Sequence, residues 1–138
     1  MSYDLMVFEP TVAPTDRSEF MKWYECQAQW SEGHSYDDPC VSSPALQKWF
    51  EEMIQIFPPM NGPLASDDVD DPHLTDHCLG KDVIYSAFAW SVADEAYQKM
   101  KSLAIKHKVG FFDESAENGE ILFPDEPDSA LPKNKKPW

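Results

Sequence analysis

Apolar residues along this chain fall into two periodicities, and the switches between them mark out the elements. Tyr3 to Glu9 (YDLMVFE) alternates as a strand, with Tyr3, Leu5 and Val7 on one side. The other side, Asp4, Met6 and Phe8, is also apolar after Asp4, which predicts an interior strand. Pro10 to Pro14 breaks it, and Asp16 with Glu19 three residues on is an N-cap signature for a helix to about Trp30. A polar connector follows from Ser31 to Ser43. Ser43 then caps a second helix with Pro44 in its first position, where a missing N–H costs nothing. Leu46, Trp49, Phe50, Met53, Ile54 and Phe57 form its apolar stripe, and Pro58-Pro59 stops it.

The stretch from Gly80 to Asp113 is the best defined. Val83 to Trp90 (VIYSAFAW) is an apolar run at strand length, rich in β-branched and aromatic side chains. Ser91, three residues before Asp94, predicts a shortened capping box. Val92, Ala96, Tyr97, Met100, Leu103, Ala104 and His107 then share one helical face, and lysines crowd the last turns. Val109, Phe111 and Phe112 open the next strand. Leu74 to Leu79 (LTDHCL) pairs with the Val83 strand as a hairpin, and Glu120 to Phe123 is a last edge strand. The order is β-α(α)-β-β-α-β. It predicts an α+β, ferredoxin-like sandwich with an antiparallel sheet and helices on one face. The other face is then open or paired with a second copy, a homodimer. Residues 1–124 are read as one domain and 125–138, with its prolines and lysines, as an extended or disordered tail.

Composition changes this picture in one respect, which is charge. At 138 residues, 42% hydrophobic and 13% aromatic, the chain is a globular domain with no apolar run long enough for a membrane helix. Its net charge is −14, and the last three lysines lie beyond residue 128. Residues 1–128 therefore hold eight basic against 25 acidic side chains, a net of −17. Such a surface repels nucleic acid and anionic membranes and attracts a basic protein. No start-of-chain export signal is legible, so Cys26, Cys40 and Cys78 are read as reduced thiols in the cytoplasm.

The segments SYDLMVFEP, ALQKWFEEMIQIFPPMNGP and the whole Gly80–Asp113 stretch resemble a group of small acidic bacterial cytosolic proteins. These are mostly uncharacterised, and some resemble immunity proteins of polymorphic or contact-dependent toxin systems. The similarity spans roughly residues 1–123. It implies a fold group more firmly than a function, and it carries over no site residues.

Candidate chemistry is sparse. The acidic positions Asp37, Asp38, Asp67, Asp68, Asp70, Asp71 and Asp76 are the candidate partner-binding residues, read as a docking surface for a basic toxin domain, plausibly a nuclease. Their bland alternative is a solvated loop. The Asp67–Asp71 run fails as a calcium loop, because the sixth and twelfth positions counted from Ser66 are Asp71 and His77. His73, Asp76, His77 and Cys78 in DPHLTDHC are the best metal candidate, since the His-x3-His spacing can present two imidazoles on one side, but the segment reads as loop and strand without an H-E-x-x-H helix. No phosphate-binding glycine loop or nucleophile elbow occurs. Catalytic residues and cofactors are therefore expected to be none. The competing reading is a small-molecule-binding or enzymatic domain with a pocket between helices and sheet.

Overall fold

The computed structural model describes residues 2–30, 33, 36–116 and 119–123. The expected tail, 125–138, lies outside the described residues. Five strands, β1 (Tyr3–Phe8), β2 (Asp76–Leu79), β3 (Val83–Phe88), β4 (Gly110–Phe112) and β5 (Ile121–Leu122), form one sheet. Their order is β2-β3-β1-β4-β5, with every neighbouring pair antiparallel. Three helices, α1 (Arg17–Gln27), α2 (Pro44–Met53) and α3 (Ala93–His107), complete an α+β architecture. No helix among the described residues is long and apolar enough to cross a membrane.

The register explains where the core sits. Leu5 pairs with Ser86, Val7 with Ile84 and Phe111, and Leu79 with Ile84, so these side chains share one face. That face packs under α2 and α3 through Leu46, Trp49, Phe50, Met53, Ala96, Met100 and Ala104, all at most 1% exposed. Met6, Phe8, Val83 and Phe112 point the other way, into a second cluster closed by Phe20 of α1. The expected placement of all helices on one face is therefore corrected. β1 is apolar on both sides, so leaving either side bare would expose Met6 and Phe8 to water, and α1 crosses to cover them.

Helix starts also depart from expectation in two places. Asp16 caps α1 as its spacing requires, accepting a hydrogen bond from the Glu19 N–H at 3.1 Å. Ser43, by contrast, makes no capping bond; its hydroxyl is buried without a partner, and its N–H donates to the Lys81 carbonyl. Ser91 caps nothing either. A 3-10 turn over Trp90–Val92 intervenes, and α3 opens at Ala93 with Asp94 and Glu95 facing the positive end of its dipole. Strand β3 correspondingly ends at Phe88, two residues before Trp90. At the other end Lys108 adopts φ +58 and its N–H closes the helix on the Ala104 and Ile105 carbonyls.

The outer edge of β2 is not left bare. Thr75 forms a bridge to Pro59, with its N–H on the Pro58 carbonyl and its own carbonyl accepting from Met60. At the far end the Leu79 N–H donates to the Tyr36 carbonyl. On the opposite margin of the sheet, β5 is two residues long.

Candidate functional site

Residues 60–72 contain no helix or strand, as the turn-prone, aperiodic sequence requires. The loop is instead held by short side-chain-to-backbone bonds. The Asp70 N–H reaches the Asp68 carboxylate at 3.3 Å, and the His73 N–H reaches that of Asp71 at 2.9 Å. Asp67, Asp68 and Asp70 stay exposed. Gly62 lets this loop lie on the preceding connector: its φ is +91, and an added Cβ would sit 2.3 Å from the Asp37 carbonyl oxygen. One residue earlier, the Asn61 amide reaches the Asp76 carboxylate at 3.3 Å. One loop thus links Asp37, Asp67, Asp68, Asp70, Asp71 and Asp76. Asp38 is engaged locally, its carboxylate accepting from the Cys40 N–H at 2.9 Å, which holds its carboxyl below the usual range. Among the described residues, no lysine or arginine forms an ion pair with any of these seven aspartates.

The two histidines of the same segment do different things. His77 is buried on the α2/α3 side. Its Nε2–H donates to the Phe57 carbonyl at 3.0 Å, which leaves Nδ1 to accept from the Ser86 hydroxyl at 2.7 Å. Burial pushes its pKa down to about 4, so the ring is neutral at physiological pH. His73 lies nearer the surface, against Glu95 at 2.7 Å and Asp71 at 3.4 Å, and the Glu95 carboxylate raises its pKa. Phe57 stands between them, its ring 5.1 Å from that of His73. Among the described residues no group of three or more His, Cys, Asp and Glu side chains is placed to hold a metal.

A different feature lies on the α1 side of the sheet. Helix α1 covers β1 and β4 but stops short of β2, leaving a cleft of about 230 Å³ over the β2–β3 pair. Trp30, just past the helix, closes one end; its ring meets Tyr85 at 6.1 Å and Tyr36 at 5.2 Å, both edge-on. Its backbone takes φ +53, a conformation that non-glycine residues rarely adopt. Asp76 and Cys78 enter from β2, opposite Ala87 and Tyr85 of β3. Burial and the Asp76 charge push the Cys78 thiol up to about 11.

Behind the cleft sits a tyrosine–carboxylate cluster. The Tyr85 hydroxyl donates to Asp4 at 2.5 Å and lies 3.5 Å from Glu114, to which Tyr24 also bonds. Burial, then these carboxylates, push the phenols of Tyr24 and Tyr85 far up, and burial raises the Glu114 carboxyl. Sequence reasoning missed this group. Its only legible trace is the strand alternation that puts Asp76 with Cys78, and Tyr85 with Ala87, on the face away from His77.

Cys26 and Cys40 are exposed, Cys78 points away from its neighbour His77, and His34 lies outside the described residues. No family model, no curated protein and no solved structure matches the chain.

Proposed function

We propose that this protein is a non-catalytic, cytoplasmic binding protein that neutralises a basic protein partner, as an immunity protein neutralises a bacterial toxin domain. The observation that carries the reading is the single loop that gathers Asp37, Asp67, Asp68, Asp70, Asp71 and Asp76 without lysine or arginine partners among the described residues. Carboxylates gathered on one surface attract a cationic surface over a Debye length of about 8 Å at physiological salt. A nuclease domain is the favoured target class, because a protein that grips polyanionic nucleic acid presents lysine and arginine at its site. The strand order β2-β3-β1-β4, antiparallel throughout, supports reading the body as a ferredoxin-like sandwich extended by β5.

Two features of the cleft over the β2–β3 pair weigh against its being a small-molecule site. The cleft is smaller than the ~300–1,000 Å³ of ordinary ligand pockets. The thiol in its wall is held protonated at neutral pH, so it offers no nucleophile there. The test is capture of partners from the source cell with the full chain at low and high salt. The expected outcome is one basic protein whose association slows as salt rises, and slows further, roughly tenfold, when Asp67, Asp68 and Asp70 are changed to Asn. Retention of no protein, or an association rate indifferent to salt, overturns the reading.

A further inference from the structure

We propose that the cleft between the end of α1 and the β2–β3 pair is a socket for one arginine side chain of that basic partner. The inference rests on the binding role above and adds to it the residue that the partner must supply.

Three observations converge on a guanidinium. First, the walls are aromatic: Tyr24, Trp30 and Tyr85 surround the space that Ala87 leaves open. Aromatic faces attract cations through the ring quadrupole, and arginine stacks on them more readily than lysine because its planar head is weakly hydrated. The Tyr85 ring is enriched as a cation acceptor because its hydroxyl donates to the Asp4 carboxylate at 2.5 Å. Second, the charge is one-signed. Asp76 stands in the wall, Asp4 and Glu114 lie one hydroxyl behind it, and among the described residues no lysine or arginine lines the cleft. The Asp76 carboxylate makes one long contact, 3.3 Å from the Asn61 amide, so it retains lone pairs for a forked N–H pair. Third, the size is right. At about 230 Å³ the cleft admits one side chain with its alkyl stem and is too small for a nucleotide.

Position adds a reason. Asp76 is at once a wall of the cleft and the end of the acidic loop, through Asn61. A cationic surface drawn in by Asp67, Asp68 and Asp70 therefore arrives beside an aromatic recess. The loop supplies long-range attraction and the recess supplies short-range fit, a division that separates association rate from residence time.

The test uses a capped tripeptide, acetyl-Ala-Arg-Ala-amide, and its citrulline counterpart, which keeps shape and loses charge. Each is titrated into the full chain, with the Trp30 indole N–H, assigned through Trp30→Phe, followed by NMR. The arginine peptide is expected to move that signal and the citrulline peptide to leave it in place. Asp76→Asn is expected to weaken the arginine peptide roughly tenfold with an unchanged thermal midpoint, and Tyr85→Phe to weaken it less. Equal shifts from both peptides would mean an apolar recess only and would overturn the socket, as would a Trp30 signal that stays still at saturating arginine peptide. A basic partner captured with an affinity that Asp76→Asn does not change also overturns the socket while leaving the binding role intact. Conversely, a charge-dependent Trp30 shift without any captured protein upholds the cationic socket and removes the protein-neutralising role.

Discussion

The two faces of the sheet are built from alternate residues of the same strands, yet they are finished differently. Under α2 and α3 the space is filled: Trp49, Phe50, Phe57 and Phe88 are at most 1% exposed, and the Trp49 indole reaches the Met100 carbonyl at 3.3 Å. Under α1 the cover is partial. Phe8 and Phe20 are buried, but Trp23, Tyr24, Trp30 and Tyr85 are each left half-buried. Two helices with continuous apolar stripes shield one side, whereas α1 covers the other alone and buries only Phe20 fully. A sheet face covered by one helix keeps aromatic surface at its margin, and half-covered aromatics are what interfaces use as anchors. The comparison locates the filled core on one side and the partly covered aromatics, with the proposed socket, on the other.

The largest test of that division is truncation. Trp49→Ala removes a fully buried ring and its indole hydrogen bond to the Met100 carbonyl. It is expected to cost about 3–5 kcal/mol in a urea titration, whereas Trp30→Ala should cost well under half as much. Similar losses at both positions would erase the distinction.

His77 sharpens it next, because it is a buried titratable group on the filled face. Its folded pKa, about 4, lies below the ordinary 6.5, so the unfolded chain takes up a proton first as pH falls. The stability it contributes is complete above pH 6.5 and drains away toward pH 4, by on the order of 3 kcal/mol in all. NMR of the ring in the folded protein should place its titration midpoint near 4, well below the ordinary value. Titration near 6.5 would mean that the face admits water.

The smallest effects come from adding volume. Ala96→Leu, beneath α3, should cost about 1–3 kcal/mol by overpacking. Ala87→Leu enlarges a side chain into the cleft, and should leave the urea midpoint nearly unchanged while abolishing the arginine-peptide shift at Trp30. A large destabilisation by Ala87→Leu would show that the cleft is not open space.

Sequence reading succeeded where one residue type served one local purpose. The stripe Leu46, Trp49, Phe50 and Met53 is a helix by its spacing alone, and Asp16 caps by its own side chain. It failed where two elements compete for one surface. Nothing in the periodicity of Arg17–Gln27 says which face of the sheet it takes; that is decided by whether Met6 and Phe8 would otherwise meet water. The same limit hid the cleft. The alternation of Asp76 with His77 is in the sequence, but Trp30 follows a helix, where no period applies, and its approach to Tyr85 depends on tertiary packing. The acidic loop was legible as a charge run, while its contact with Asp37 hinges on the missing side chain of Gly62.

The fastening of β2 bears on crowding. A naked edge strand is a template on which further chains stack without limit, and weak polar contacts do not prevent it. Here Pro58 to Met60 occupies one end of that template and Tyr36 the other, and the opposite margin is two residues long. Growth by backbone pairing therefore has few footholds at either border.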